Sequence, residues 1–560
     1  MTTVDDTARL AQMRRALFEQ RVRGAGSPPA AEARPVMPRP AAGPLPLPAS
    51  QAQLWYLSQL APDSCAYNEM IEIRKVGALD VQALRRALNA VVSRHETWRT
   101  TFDCVDGVPH QFVHEPTEID LPLVDLSHLG TEEAERRAVE IAAAEAVRPY
   151  DLTRGPFIRP LLVRITDDYH RLCLCMHHLI FDGVTMQRVL LPELIAAYRA
   201  YAAGEALSLP EPEVQYSDFI IWQQDWLSGP TGAARIARCR DRLADLTPAQ
   251  LPVDYSQPAG QRSAGGAIPV TIEAATVEAL TRAARSVGGT FFHALAAAHA
   301  WWLHRYTEST DVSFSSPHDL RYRKDLLPVA GYCATPVVVR CQVTGQETFI
   351  ELVERMRGEV ADAVSDVVPL QTLLAELGVP RDPRYNPLFQ TALNLEPPMT
   401  SPSDEWSLHL MQSDIANAIG ATKFDINVEL DHRQEGHVVG RLFFSTDLFD
   451  PETARAMAQH WCRLLDVVAA APELPMVEYD LITSDERRRQ LDWNPTMLQG
   501  ISTQSVHEVI GSQVERTPDA VAVQVADATL TYRQLDDRAA AIASRLAAAG
   551  AGPGAVVAVL

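Results

Sequence analysis

The sequence predicts a mixed α/β protein built in more than one lobe. Three observations carry this. The chain has 560 residues, beyond the size at which one hydrophobic core keeps growing. Apolar residues recur at helical spacing over 79–94, 132–147, 184–202 and 275–306, as Val81, Leu84, Leu88, Val91 and Val92 do. Short apolar runs at 156–165, 171–177, 335–342 and 440–446 read as strands between them. Helices and strands are interleaved rather than segregated, which favours the α/β class. An apolar fraction of 47% with 22% charged residues is ordinary for a globular chain and excludes a mostly disordered one. The formal charge of −21 makes nucleic acid and anionic membrane poor partners. No run of ~18 apolar residues reads as a membrane span. The opening MTTVDDTARLAQMRR lacks the apolar stretch of a secretion signal, so a cytoplasmic protein is expected.

Residues 1–44 read as a basic arm. A short helix is expected over 7–23, with Leu10, Met13 and Leu17 on one stripe, and seven arginines against two acids lie between Arg9 and Arg39. Arg9, Arg14, Arg15 and Arg21 are the candidate docking residues on it. Eight prolines between Pro28 and Pro48 make the rest a semi-rigid extended tether. The globular body begins near residue 45. Its eight cysteines form no C-x-x-C pair and are expected as buried thiols in a reducing compartment. Beyond 475 the apolar periodicity fades, so 476–505 reads as a linker, and a new pattern starts at Val506.

The densest chemical signal is Met176-His177-His178-Leu179-Ile180-Phe181-Asp182-Gly183, between an apolar strand and a helical pattern. Neighbouring residues at a strand end point to opposite faces, so one histidine is expected as packing and the other presented to a cleft. That geometry disfavours a shared metal, and no metal site is expected. Asp182 can bind a nearby arginine or cap the following helix, and Gly183 allows close approach. The sequence has no G-x-x-x-x-G-K-[ST], G-x-S-x-G or H-E-x-x-H motif, which removes most support from nucleotide, serine-hydrolase and zinc-protease readings.

H-H-x-x-x-D-G resembles the hallmark of the condensation domains of nonribosomal peptide synthetases and their chloramphenicol-acetyltransferase-like relatives. Further motifs fall in that family's order: Ser50–Trp55, Arg94–Phe102, Tyr216–Trp222, Gly331–Pro336 and Arg381–Gln390. The resemblance covers roughly 45–475. It departs at Trp98, at Tyr332-Cys333-Ala334-Thr335 and at Ser365–Leu370, which bears on substrate preference. Phe181 and the stretch after Gly183 look most like the branch that follows polyketide modules. The last segment, especially Leu530–Leu535, is similar to the opening of an adenylation domain, so 506–560 reads as its N-terminal fragment.

The resemblance implies two acetyltransferase-like lobes forming a V-shaped pseudo-dimer, 45–220 and 221–475. It implies amide-bond formation between a carrier-bound acyl thioester and a carrier-bound aminoacyl thioester, an acyltransferase reaction. His178 matches the catalytic residue. His177, Asp182 and Gly183 match architectural positions, and Asp182 is expected to pair with an arginine, Arg99 or Arg94. No cofactor is expected on the chain itself; phosphopantetheine would come with partner carriers. These would be an upstream carrier in trans as donor and a downstream peptidyl carrier as acceptor, with an adenylation domain in cis. The alternatives are an epimerisation domain of the same fold, against which stand Val184-Thr185-Met186, and a non-catalytic recruitment domain.

Overall fold

The computed structural model describes residues 36–39, 43–256, 264–321, 323–379, 386–396, 404–409, 412–433, 436–493, 504–526 and 528–559. The expected 7–23 helix, with Arg9, Arg14, Arg15 and Arg21, lies outside them, as does the 381–385 part of the last family motif. By internal contacts the chain divides into residues 1–483 and 484–560.

The first unit is built on two mixed sheets. From edge to edge, the five-stranded sheet runs Trp406–His409 (β12), Asn68–Val76 (β2), Tyr169–His177 (β7), Ile158–Thr166 (β6) and Leu123–Asp125 (β5). The six-stranded sheet runs Ala334–Gln342 (β10), Asp311–Asp319 (β9), Thr391–Glu396 (β11), Ile426–His432 (β13), Val438–Ser445 (β14) and Gly265–Ile272 (β8). A small third sheet joins Leu45–Pro46 (β1), Val108–Val113 (β4) and Thr100–Val105 (β3).

The helical periods become helices with identifiable ends. Val81–Arg94 starts at Asp80, whose carboxylate accepts from the amides of Gln82 and Ala83, the usual satisfaction of first-turn donors. Its buried stripe is Ala83, Leu84, Ala87, Leu88, Val91 and Val92. Thr131–Ala146 buries Ala134, Ala138, Ala142 and Ala146 at a four-residue spacing. The 275–306 period is two helices, Ala274–Ser286 and Phe291–Thr307. Gly288, at φ +72°, turns the chain, and Thr290 begins the second helix with a capping box. The two large sheets have separate main cores, and a smaller cluster joins Met70, Cys173 and Cys175 to Ala267 and Phe443. In the six-stranded sheet Leu393, Ile426, Val428, Leu430, Leu442 and Phe444 pack with Trp301, Trp302, Phe349 and Trp461 from the covering helices.

Two expectations about boundaries change. The lobes are not consecutive in sequence: β12 pairs antiparallel with β2, from Trp406↔Lys75 to His409↔Glu72, so the later half of the chain lends a strand to the earlier sheet. Nor does the linker begin at 476. Met476, Tyr479 and Leu481 are buried in the core of the six-stranded sheet, and three isolated apolar residues are too few to register as a period. Residues 484–560 carry helices Ser484–Trp493, Val506–Arg516 and Tyr532–Ala548 and the hairpin Val521–Val525 (β15) with Ala528–Thr531 (β16). Among the described residues no helix is long and apolar enough to cross a membrane.

Candidate active site

Strand β7 lies inside its sheet, between β2 and β6, and the candidate site forms where it stops. The amide of His177 donates to the Phe157 carbonyl at 3.1 Å and that of His178 to the Tyr67 carbonyl at 2.9 Å. The chain then tightens into a short turn, His178–Ile180. The two imidazoles part there.

His177 is 5% exposed, packed against Tyr67, Tyr150 and Phe157 at centroid distances of 6.3, 5.9 and 6.4 Å. Its Nδ1 accepts from the Leu179 amide at 3.2 Å. Burial above all, then the neighbouring His178 and nearby cations, push its pKa down to about 3, so it is a neutral packing group. His178 is only partly buried. Its ring stacks on Phe181 at 5.3 Å and meets Tyr332 edge-on at 5.1 Å. Nδ1 lies 3.1 Å from the Phe181 carbonyl. A carbonyl oxygen only accepts, so Nδ1 carries the proton and Nε2, turned away from Phe181, keeps its lone pair. Burial and then Lys423 lower the pKa of His178, with Glu69 and the backbone hydrogen bonds opposing.

Asp182 serves both roles expected of it. One oxygen accepts from the amide and hydroxyl of Thr185, each at 2.8 Å, capping Gly183–Thr185. The other accepts from Arg321 Nη1 and the Cys333 amide, again at 2.8 Å. Burial alone would raise its pKa; Arg321 and these hydrogen bonds outweigh that and hold it below the usual carboxylate value. Arg321, 3% exposed, also donates to Asp319, Thr185 and the carbonyls of Val329 and Gly331. A Cβ on Gly331 would lie 2.2 Å from Tyr216 Cδ2, which requires glycine there.

The arginine partner is therefore Arg321, correcting the expectation of Arg99 or Arg94. Arg94 lies 3.1 Å from Glu193 and donates to the Pro210 carbonyl at 2.6 Å, while Arg99 donates to the His114 carbonyl. Both sit at the end of the Val81–Arg94 helix and its following turn, whose neighbours hold them away from Asp182. Their motif instead knits to the Tyr216–Trp222 motif. Gln215 donates to the Arg94 carbonyl at 2.9 Å, and Ser217 to Glu96 at 2.6 Å. The segment Val36–Arg39 joins this seam: Val36 is buried in the same apolar cluster as Tyr216 and Trp222, and Arg39 bridges to Glu96 at 3.0 Å. Sequence reasoning missed Arg321, which lies two residues beyond β9 and ten before Gly331.

The six-stranded sheet supplies the facing side. Its apolar residues face their helices, so the alternating Asn394, Glu396, Asn427, Glu429 and Arg441 share the other face. Gly183 lies against Glu396: a Cβ there would be 3.0 Å from its Oε2. Burial pushes Glu396 up to about 7; the hydrogen bond from Asn394 opposes, and Glu429, Asp431 and Asp182 add to the rise. Lys423 reaches across to Glu69 on β2 at 2.7 Å.

Residues 43–491 match the family model described as the condensation domain, and residues 511–560 that of the AMP-binding enzyme. The chain is 32% identical over 522 residues to a linear gramicidin synthase protein of Brevibacillus parabrevis, covering 93% of this chain and 7% of that protein. It is 31% identical over 517 residues to malpibaldin synthetase of Mortierella alpina, covering 91% and 9%. The chain thus spans a small part of the length of these relatives. Two solved structures are similar. The X-domain from teicoplanin biosynthesis has a TM-score of 0.69 at 26% identity, over 80% of this chain and 100% of that one. The first condensation domain of the calcium-dependent antibiotic synthetase, solved with a substrate analogue, has a TM-score of 0.68 at 22% identity, over 79% and 100%.

Proposed function

The chain belongs to the condensation-domain family, and from that premise we propose that it forms an amide bond between an acyl thioester on one carrier and an aminoacyl thioester on another. The observation that carries this reading is the tautomer of His178. With its proton held by the Phe181 carbonyl at 3.1 Å, the Nε2 lone pair is free to accept from the attacking amine.

An α-amine has a pKa near ~8, so a fraction is already nucleophilic at neutral pH. Its N–H donates to Nε2, which aims the nitrogen lone pair at the thioester carbon. As the C–N bond forms, nitrogen becomes cationic and passes a proton to Nε2. The tetrahedral adduct then expels the carrier thiolate, which takes that proton, leaving amide and thiol. Orientation of the amine and proton acceptance both act through Nε2; general-base help alone is typically worth ~10²–10⁴-fold. His177, Asp182 and Gly183 fix the turn that presents His178. The phosphopantetheine arms come with the carriers. An upstream carrier in trans brings the donor, a downstream peptidyl carrier brings the acceptor, and an adenylation domain in cis loads it.

The test pairs loaded donor and acceptor carriers with the protein and follows intact masses. Wild type moves the donor mass onto the acceptor; His178→Ala, with an unchanged circular dichroism spectrum, does so at least about 100-fold more slowly. Near-wild-type transfer by that variant defeats the assignment. Unchanged masses with a scrambled α-carbon mean epimerisation, and no transfer with any pair means a recruitment domain.

A further inference from the structure

A narrow cavity runs between β2 and the 416–429 segment, walled by Glu69, Thr422, Lys423, Asn427, Glu429 and Phe443. Its wall reaches His178 through Tyr67: Lys423 packs over the Tyr67 ring at 5.6 Å, and the Tyr67 carbonyl accepts from the His178 amide at 2.9 Å.

The charges of this wall are met by partners, one within the wall and one behind it. Lys423 meets Glu69 at 2.7 Å, and Arg441 meets Glu429 at 2.9 Å. One neutral group is left over. Asn427, 7% exposed, donates through Nδ2 to Glu429 Oε1 at 2.9 Å. A carboxylate only accepts, so the amide can take no other orientation there. Its Oδ1 is thereby fixed as an acceptor, sealed from bulk solvent and without a hydrogen-bond partner among the described residues. A buried acceptor of this kind discriminates. A ligand that supplies N–H or O–H satisfies it, and a hydrocarbon leaves it stranded.

We propose that this cavity is a specificity subsite in which Asn427 Oδ1 accepts a hydrogen bond from a neutral N–H or O–H carried on the acyl or aminoacyl part of a substrate. The proposal deepens the condensation reading and rests on it.

The test uses unreactive pantetheine amides in matched pairs, hydroxyl against methyl at the second, third or fourth carbon. A donor arm carries simple acyl groups; an acceptor arm carries aminoacyl groups such as seryl against 2-aminobutyryl. Calorimetric affinities are measured for wild type, Asn427→Leu and, against a folding failure of the leucine variant, Asn427→Ala. At one position in one arm, wild type is expected to bind the hydroxyl member about tenfold tighter or more. The folded variants are expected to bind both members within about twofold, and the responding arm identifies the substrate. Equal binding of every pair by wild type, or a preference that survives in the variants, overturns the proposal. Binding is read without turnover, so the two readings fail separately. A wild-type protein that sorts the pairs yet joins no loaded carriers defeats the condensation reading and keeps the subsite.

Discussion

Replacing Asp182 with alanine removes an acceptor of four hydrogen bonds, from the Thr185 amide and hydroxyl, Arg321 Nη1 and the Cys333 amide. It also leaves Arg321 buried with one carboxylate fewer. Breaking a buried ion pair from one side typically costs about 3–5 kcal/mol. Arg321 keeps Asp319 at 2.8 Å, which places the expected loss at the lower end, about 3 kcal/mol. The sign with pH follows from the lowered pKa of Asp182. Its contribution is present above the unfolded carboxylate value near ~4 and is lost as pH falls through the folded value. Urea unfolding at pH 7 should therefore show the full loss, and the gap between wild type and variant should close in acid. The decisive measurement is the double variant Asp182→Ala with Arg321→Met, which removes the stranded charge. With the Arg321→Met single variant measured too, the two losses should be less than additive, giving a coupling energy of at least about 1 kcal/mol. An Asp182→Ala loss under about 1 kcal/mol, or additive losses in the cycle, refutes the claim that this pair holds the turn presenting His178.

Three further outcomes are expected. Because His178 is held neutral by its lowered pKa, kcat/KM between pH 6.5 and 8 should rise with ionisation of the acceptor amine, and an acceptor analogue of much lower amine pKa should flatten it; a rise that persists contradicts a neutral His178. Gly331→Ala should lose about 1–3 kcal/mol or fail to fold, since the added carbon falls 2.2 Å from Tyr216, and a melting temperature equal to wild type removes that close approach. Deleting residues 1–30 should raise KM for a carrier-bound donor at low salt and leave a small soluble acyl thioester unaffected. The cut stops short of Val36 and Arg39 because both are built into the Glu96 seam; an unchanged KM ends the docking role of Arg9, Arg14, Arg15 and Arg21.

What the sequence made legible were the features with a local cause. Leu172–Met176 is an unbroken apolar run because both its faces are buried, Leu172, Leu174 and Met176 in one core and Cys173 and Cys175 in another, and Val81–Arg94 shows its stripe because one face alone is buried. The His177–Gly183 run is a local turn, so its parts were readable at the level of individual side chains. The partner of Asp182 was not. Arg321 is 139 residues away, brought in by the packing of β9 and the Gly331 loop, and an arginine count favours whichever candidate stands in a recognised motif.

The facing side of the site was hidden for a different reason. A sheet buried on one face and lined with polar groups on the other writes alternation, and Ile426–His432 reads Ile-Asn-Val-Glu-Leu-Asp-His. From sequence such a strand looks like a half-exposed edge with Asn427, Glu429 and Asp431 in solvent. In the structure all three lie on the interior face, with Asn427 and Asp431 buried, and Lys423, one of only three lysines in the chain, is spent on an ion pair to Glu69 rather than on solubility. Polar residues cost free energy when desolvated unless partners meet them. A face that buries Asn427 and Asp431, crowds Glu396 with other carboxylates and leaves Asn427 Oδ1 without a hydrogen-bond partner among the described residues costs stability, and the proposed subsite is what would offset that cost. The same alternation that made these strands look unremarkable is, under the proposed subsite, the pattern of a sheet whose second face addresses a substrate.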